Sequence, residues 1–438
     1  MAAKPLANIV TTDYSGITRG RPVPVDRLDR FEATGIGWVP ANISLTPFNA
    51  IADPNPWGSV GDVRILPDLS AIYRTALTGS ATEFVMVPGR IVELDGSPWS
   101  CCSRTFLDRA IADLKSETGL SVQAAFEQEF QVLGASWPKA HAFSLEAFRR
   151  TDPFGPELFA ALDDAGVEPE MVLAEYGTDQ FEITHSPTAA LAAADRAVAI
   201  REIVREMARI RGFRASFAPK TTPAGVGNGV HIHVSLLDAN GRPATHDPAN
   251  PGGLSAAAGA FCAGILDHLP AITAFTAPSV PSYYRLRPHY WSASWTWLGE
   301  RDREATLRIC PVPGFGGKDP GRSYNIEFRA ADATANPYLA LGMLIRAGLE
   351  GLRAGARAPV VFSGDPAALS ETERAELGLK RLPESLDQAL AALETDRTVC
   401  SWFAPVALET FIGVRRQEQA VVAGLGPEDI CATYRDLY

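Results

Sequence analysis

Three short segments of the chain carry polar side chains at every second position, between apolar or small residues. They are Glu127 and Glu129 in FEQEF, His231, His233 and Ser235 in VHIHVS, and Glu327 and Arg329 in IEFRA. Alternate residues of a β-strand point to the same face of a sheet, so each segment predicts a strand with one polar face. One such strand is typical of a solvated sheet edge. Three of them, bearing carboxylate, imidazole and guanidinium groups, fit better around one polar cavity.

The segment EYGTDQFE adds two carboxylates, Glu175 and Glu182, on either side of a turn-prone sequence. Alone it is typical of a charged loop, but beside the three strands it would supply further oxygen ligands. Carboxylates are the ligands that Mg2+ and Mn2+ prefer, and a single histidine also suits Mn2+. Two such cations close together bridge phosphate oxygens and neutralise developing charge. The residue types therefore predict a two-metal site for phosphoryl transfer.

Arginines form a second candidate cluster, made of Arg285, Arg301, Arg303, Arg308 and Arg329. The planar guanidinium group matches carboxylate and phosphate oxygens through two parallel hydrogen bonds. Arg301 is typical of a salt-bridged surface. Arg308 and Arg329 interrupt apolar strand patterns, which favours a role inside an oxyanion-binding site.

The elements that must position these residues change in character along the chain. Residues 1–105 are predicted to form short strands and turns, and residues 106–438 a larger unit that mixes helices and strands. One helix is predicted to open at Ser103 and to close at Gly119, and a long amphipathic helix to be capped by Ser186. The prediction is an α+β fold of two domains.

The composition argues against several classes of protein. The formal net charge is −11 and the isoelectric point is near 5.2, whereas binding to nucleic acid or an anionic membrane needs a basic face. No apolar run approaches the roughly 18 residues of a membrane span, and no signal peptide is visible. The six cysteines form no CxxC pair, which predicts reduced thiols in a cytoplasmic protein.

The order of the motifs resembles that of the glutamine synthetase family. The motifs are FEQEF, EYGTDQFE, NGVHIHVS, SYYRLRP, REATLRI and IEFRAADATANPYLA. The resemblance implies a small N-terminal β-grasp domain followed by a large catalytic domain with an antiparallel sheet and flanking helices. It implies glutamate, ATP and an amine as substrates, and two or more Mg2+ or Mn2+ ions per active site. It also implies rings of identical subunits, often dodecamers, with active sites between neighbours.

The family pattern implies a role for individual positions of this chain. One metal would be bound by Glu129, Glu175 and Glu182, and the other by Glu127, His231 and Glu327. The substrate carboxylate, the phosphates and the acyl phosphate would be bound by Arg285, Arg303, Arg308 and Arg329, of which the last three would be catalytic. Glutamate would also contact Gly227 and His231, and the nucleotide side would include His233, Ser235, Arg308 and Arg322.

The reaction that the resemblance implies has two steps. The side-chain carboxylate of glutamate attacks the γ-phosphate of ATP, which gives γ-glutamyl phosphate and ADP. An amine then displaces phosphate and forms an amide. Metals and arginines would stabilise the charge that develops in both steps.

Two positions depart from the family members that use ammonium. Those members carry an aspartate in the N-terminal domain, where this chain has Val39 or Pro40. They also carry a glutamate in a loop called the flap, where this chain has Trp291 in the segment RPHYWS. A small, strongly hydrated ammonium ion needs anionic ligands. The loss of both acids therefore predicts a wider, more apolar acceptor pocket, with Trp291 as a substrate-binding residue.

Several other tryptophans lie near these two departures in the sequence, namely Trp38, Trp295 and Trp297. Aromatic faces bind alkylamines and their cations, so these side chains either extend the acceptor pocket or pack in a core or subunit interface. Asn325 and Arg322 stand where the family often has Arg and Lys, which predicts altered contacts with the nucleotide.

The sequence thus favours a γ-glutamyl-amine ligase that acts on polyamines or monoamines. Three alternatives stay open: a glutamine synthetase that uses ammonium, a non-catalytic ring protein, and a metal-dependent kinase or phosphatase. The base that deprotonates the amine is unassigned among Glu300, Asp302 and Glu304, which follow the flap.

Overall fold

Two β-sheets organise the chain, and the computed structural model describes residues 3–317 and 319–438. The first sheet has six strands: β1 Leu6–Thr12, β2 Thr18–Pro24, β3 Ile36–Trp38, β4 Val63–Pro67, β5 Tyr73–Thr75 and β6 Phe84–Val92. Their order is β2-β1-β6-β4-β3, and β5 also pairs with β6. The β1–β6 pair is parallel, whereas the other pairs are antiparallel. The short strands predicted before residue 105 are confirmed.

The second sheet carries the polar strands. Its nine strands are β7 Ser121–Leu133, β8 Pro169–Ala174, β9 Gln180–His185, β10 Thr188–Ala189, β11 Arg214–Ser216, β12 Val230–Leu237, β13 Leu298–Glu300, β14 Leu307–Ile309 and β15 Ile326–Ala331. Their order is β13-β14-β15-β12-β7-β9-β8, with β10 and β11 also on β7. All pairs but β13–β14 are antiparallel. Strands far apart in sequence are therefore neighbours in this sheet.

Thirteen α-helices surround the sheets in the described residues. They are α1 Ser103–Thr118, α2 Leu145–Arg149, α3 Phe154–Asp164, α4 Ala190–Ile210, α5 Ala256–Thr276, α6 Ser282–Arg285, α7 Pro320–Ser323, α8 Pro337–Arg353, α9 Glu371–Glu376, α10 Leu386–Thr395, α11 Arg397–Ser401, α12 Pro405–Val422 and α13 Pro427–Leu437. Short 3-10 helices span Val25–Phe31, Pro40–Ser44, Pro251–Gly253 and Pro366–Ala368. The α+β prediction is confirmed, while the division between residues 105 and 106 stays a prediction.

Alternation along β7 separates a covered face of the second sheet from a polar one. The even-numbered Phe126 and Phe130 are buried in the core, and Gln128 donates to the carbonyl of Ala197 in α4 at 2.7 Å. Arg201 of α4 donates in turn to the Gln128 side chain at 2.8 Å. The odd-numbered Glu127 and Glu129 therefore point away from α4, because successive side chains of a strand lie on opposite faces.

The two predicted helix starts had different outcomes. Helix α1 begins at Ser103 and is capped at Gly119, whose left-handed φ of 72° suits glycine, as predicted. The cap predicted at Ser186 is wrong, because α4 begins only at Ala190. Thr188 and Ala189 first pair with β7 as a short strand, so tertiary pairing displaces the helix start.

Helix α5 is the one helix in the described residues that is long and apolar enough to cross a membrane. Its apolar run is not continuous in the sequence, because Asp267 and His268 interrupt it. However, 78% of its most apolar window is buried inside the fold. It packs closely on α8, where a Cβ on Gly264 would lie 2.6 Å from the backbone nitrogen of Gly351. We therefore interpret α5 as a core helix.

Candidate active site

Strand register brings the predicted polar side chains into a row across five strands of the second sheet. The directly paired residues are Glu129 with Glu182, Glu127 with His231, His233 with Glu327, and Glu327 with Arg308. The row crosses β9, β7, β12, β15 and β14 in that order. The common polar face predicted for three strands is thus present, and β9 and β14 extend it.

Glu127 lies at the centre of this row and is shared by two groups of potential metal ligands. Its carboxylate oxygens lie 3.1 Å from Nδ1 of His231 and 3.0 Å from Nε2 of His233. Ligand atoms of Glu127, Glu182 and His231 lie within 4.8 Å of one another, and those of Glu127, His233 and Glu327 do the same. Carboxylate oxygens and imidazole nitrogens at this spacing fit divalent cations such as Mg2+ or Mn2+.

These groups differ in part from the ligand sets implied by the resemblance. Glu129 approaches Nε2 of His231 only to 4.0 Å, and its other oxygen accepts a hydrogen bond from the Gly229 amide at 2.7 Å. Glu175 follows β8 and accepts from the Tyr176 amide at 3.0 Å. The division of six ligands between two metals stays a prediction. His233, which the sequence analysis placed on the nucleotide side, lies among the carboxylates.

The charges of the site also fit a bound cation. Burial, reinforced by repulsion from Glu127 and Glu129, raises the pKa of Glu182 to about 9. Burial likewise raises the pKa of Glu175. Carboxylates crowded in this way repel one another unless protons or cations neutralise them. A divalent cation would remove this repulsion, so the residues present fit the metals that the resemblance implies.

Glu327 is neutralised within the chain by two arginines. Its side chain is 1% exposed, contacts Nη1 of Arg308 at 2.7 Å and pairs closely with Arg329. Burial alone would raise its pKa, but the neighbouring His231 and Arg329 side chains lower the pKa of Glu327 to about 2. The carboxylate is therefore ionised, and Arg308 and Arg329 are held at the metal side of the site.

The other predicted arginines occupy different environments. Arg285 is buried, and its Nη2 donates to the carbonyl of Ala331 at 2.6 Å. The side chains of Arg303 and Arg322 are exposed, and Arg303 meets the site through its carbonyl, which accepts from Nε of Arg329 at 2.8 Å. The structure thus brings Arg308 and Arg329 together at the carboxylates, whereas the side chains of Arg303 and Arg322 extend into solvent.

The glycines before His231 have a structural reason that is independent of any ligand. A Cβ on Gly227 would lie 2.7 Å from Cγ of Arg285, so the close approach of Arg285 requires glycine there. The Gly227 carbonyl accepts from the Gln180 side chain at 2.8 Å. Gln180 stands inside EYGTDQFE, where the sequence analysis singled out only the carboxylates and missed its bridging contact.

Residues on the predicted nucleotide side make contacts of their own. Nδ1 of His233 lies 2.8 Å from Oδ1 of Asn325 and 3.7 Å from Sγ of Cys310, and Ser235 donates to the Tyr324 carbonyl at 3.1 Å. Cys310 was missed because a lone cysteine after a strand gives no distinguishing signal. The departure at Asn325 therefore coincides with a direct contact to His233.

The tryptophans near the flap do not form one aromatic pocket. Trp291 is 71% exposed, but Trp297 and Trp38 are buried at 2% and 8%. The Trp295 ring contacts two guanidinium groups, with the Arg374 group 5.2 Å and the Arg381 group 5.3 Å from the ring centroid. The packing alternative is therefore correct for three of them, and Trp291 alone of the four presents a largely exposed ring.

Known proteins resemble the chain over nearly its whole length. A model described as the glutamine synthetase catalytic domain matches residues 100–425, and one described as the glutamine synthetase N-terminal domain matches residues 3–99. Gamma-glutamylpolyamine synthetase GlnA3 of Streptomyces coelicolor is 36% identical, over 97% of this chain and 92% of that protein. The glutamine synthetase of Pyrococcus furiosus is 30% identical, over 89% of this chain and 85% of that protein.

A solved structure supports the same relationship. A crystal structure of a "novel glutamine synthase homolog" has a TM-score of 0.92 and 43% sequence identity, with 100% of this chain and 99% of that chain covered. The two matched domain models and this likeness confirm the fold expected from the motifs. The chain belongs to the glutamine synthetase family and is an ATP-dependent ligase that joins a carboxylate to an amine or ammonia.

Proposed function

We propose that this chain joins the side-chain carboxylate of glutamate to an organic amine, through γ-glutamyl phosphate, with ATP as the phosphoryl donor. The acceptor would be a polyamine or a monoamine. The observation that carries this proposal is the exposed indole of Trp291 at the place where ammonium-using relatives are expected to present a glutamate. A second, weaker support is the likeness to a gamma-glutamylpolyamine synthetase.

The flap, which we define as residues 287–292, has no acidic residue in its sequence RPHYWS. Val39, which stands near the place of the aspartate of the ammonium-using members, is apolar and 38% exposed. A bare ammonium ion would lose hydration at such a surface without gaining a carboxylate. An alkylammonium can instead lay its methylene chain against an aromatic face and keep its charge near the ring. The chemistry of the flap therefore favours an organic amine.

The carboxylate row would serve the first step of the reaction. Glu127, Glu182, His231 and Glu327 supply the donor atoms that would hold divalent cations, with Glu129 and Glu175 as the further ligands implied by the family. When bound, the cations would supply charge neutralisation at the phosphate oxygens. Arg308 and Arg329, already fixed on Glu327, would place guanidinium groups beside the transferred phosphoryl group and the acyl phosphate.

A panel assay tests this proposal. The chain is incubated with glutamate, ATP and Mg2+, and ADP release is compared for ammonium, a monoamine, a diamine and a longer polyamine. Mass spectrometry of the product identifies the amide. We expect at least one organic amine to exceed ammonium by tenfold or more in kcat/KM. An ammonium rate equal to or above that of every organic amine would instead support glutamine synthesis, the competing function.

Assembly and location stay predictions that follow from the resemblance. Rings of identical subunits would complete each active site with the N-terminal domain of a neighbour, which is where Val39 would approach the acceptor. Exposed apolar side chains on that domain, such as Ile51 and Val60, are compatible with a subunit contact. Light scattering of the purified chain gives the number of subunits directly.

A further inference from the structure

One carboxylate outside the metal site holds the backbone of the flap. Oε2 of Glu304 accepts a hydrogen bond from the His289 amide at 3.1 Å, and Oε1 accepts one from the Trp291 amide at 3.2 Å. Both flap residues have left-handed backbone angles, with φ of 64° and 55°. Non-glycine residues rarely adopt this conformation, so surrounding contacts must stabilise it. Glu304 supplies two of those contacts with a single side chain.

Glu304 is itself attached to well-packed structure. Its amide donates to Oδ1 of Asp302 at 2.9 Å, and its carbonyl accepts from Nε1 of Trp297 at 3.0 Å. Trp297 is buried and packs against Phe362 and Leu379 in a small apolar cluster. The support for the flap is therefore continuous with a packed core, and its side chain extends outward to the flap.

The flap also contacts Arg329, one of the two arginines on the metal side of the site. The Trp291 carbonyl accepts from Nη2 of Arg329 at 3.3 Å, and Arg329 pairs with Glu327. Tyr290 lies under the ammonium group of Lys220, which is 5.3 Å from the ring centroid. The position of the Trp291 backbone is thus shared between Glu304 on one side and Arg329 on the other.

We propose that Glu304 is a positioning residue for acceptor selectivity, because it fixes the flap so that the Trp291 indole stands at the acceptor side of Arg329. This inference rests on the proposed function, since it assumes that Trp291 contacts the organic amine. Glu304 would act through two backbone amides of the flap, without touching the amine. Glu304, one of the three acids among which the sequence left the base unassigned, thereby gains a positioning role from its contacts.

A graded series of variants tests this role. Glu304→Gln keeps one acceptor oxygen and turns an NH2 group toward one flap amide, so it loses one of the two hydrogen bonds. Glu304→Ala loses both. Hydrogen bonds to a charged group contribute more than neutral ones, but these face solvent. We expect the KM for the preferred amine to rise about threefold in Glu304→Gln and about tenfold in Glu304→Ala, with the KM for ATP unchanged; tenfold corresponds to about 1.4 kcal/mol.

The matched control is Glu170→Gln, an exposed glutamate on β8 that lies outside the flap and was assigned no role in the reaction. It should leave every KM unchanged. A second readout follows the flap itself: acrylamide quenching of tryptophan fluorescence, with the Trp291 signal obtained by subtracting a Trp291→Phe background. We expect the quenching of Trp291 to increase from the wild type to Glu304→Gln, and again from Glu304→Gln to Glu304→Ala.

Two results would overturn the role of Glu304. One is unchanged amine KM and unchanged Trp291 quenching in Glu304→Ala. The other is an equal rise in the KM values for ATP, glutamate and amine, together with a lowered midpoint of unfolding, which would indicate a general structural role. A wild-type preference for ammonium would instead overturn the proposed function, and the quenching series would still report whether Glu304 holds the flap.

Discussion

The two halves of the active site are built in different ways. The carboxylate half lies on adjacent strands of one sheet, where backbone pairing fixes each side chain and Glu327 is buried between two arginines. The acceptor half lies on a loop, where Trp291 is largely exposed and its backbone is held by a few hydrogen bonds. A change in the loop disturbs few partners. A change in the carboxylate row would leave buried charges without partners, which is far more costly.

The largest expected effect breaks the carboxylate half. Glu327→Gln removes the negative charge between Arg308 and Arg329 and leaves two buried guanidinium groups without an anion. We expect ADP release with any acceptor to fall by on the order of 1000-fold, as for loss of a preorganised charged group in other enzymes. Glu170→Gln, an exposed glutamate on β8 of the same sheet, is the matched control and should keep full activity. Activity within tenfold of wild type in Glu327→Gln would contradict the assignment.

How far the sequence predicts each half follows from the same difference. Period-2 spacing is sufficient to predict the polar faces of β7, β12 and β15, because alternation is a local property of a strand. Register is not local, so the sequence could not predict that Glu127 would stand opposite His231 or that His233 would lie beside Glu327. The remaining roles in the carboxylate half were predicted only from the resemblance of the motifs to those of the family.

In the acceptor half, local sequence misleads more often. The sequence gives no means of telling apart the four tryptophans that lie near the flap or near Val39. In the structure, however, Trp38 and Trp297 are buried and Trp295 contacts two arginines. Burial depends on segments distant in sequence, such as Leu379 against Trp297. The left-handed backbone of Trp291 and its support by Glu304 give no signal in the sequence either.

The next largest effect concerns the pH dependence of the stability of the sheet that carries the carboxylates. His185 on β9 accepts from the Phe126 amide at 3.1 Å, and burial lowers the pKa of His185 to about 4. A folded pKa below the unfolded value means that its stabilising contribution is complete above about pH 6.5 and is lost as the pH falls toward 4. We expect unfolding in urea to show a loss of about 2 kcal/mol between pH 7 and pH 5 from this residue.

The matched variant for that measurement is His185→Gln, whose amide oxygen can still accept from the Phe126 amide but does not titrate. Its stability should fall less than that of wild type over the same pH interval. Identical pH slopes would show that His185 is not the group responsible.

A smaller effect tests the acceptor half directly. Trp291→Ala removes the exposed indole without touching the core, so its free energy of unfolding should change by less than about 0.5 kcal/mol. We expect kcat/KM for the preferred organic amine to fall about tenfold, the order of a partly desolvated contact between an amine cation and an indole. Phe159→Ala, an exposed aromatic on α3, is the control. An unchanged amine profile in Trp291→Ala would remove Trp291 from the acceptor site.

The smallest effect sets the boundary of the acceptor half. Trp295→Phe keeps an aromatic ring but weakens its contacts with Arg374 and Arg381, so we expect a loss of about 1 kcal/mol in the free energy of unfolding. The relative rates with different amines should stay the same, because this ring already contacts two guanidinium groups of the chain. A shifted amine profile with unchanged stability would mean that the acceptor surface extends past Trp291 toward the segment that follows it. The flap would then select its substrate through a wider aromatic surface than one exposed indole provides.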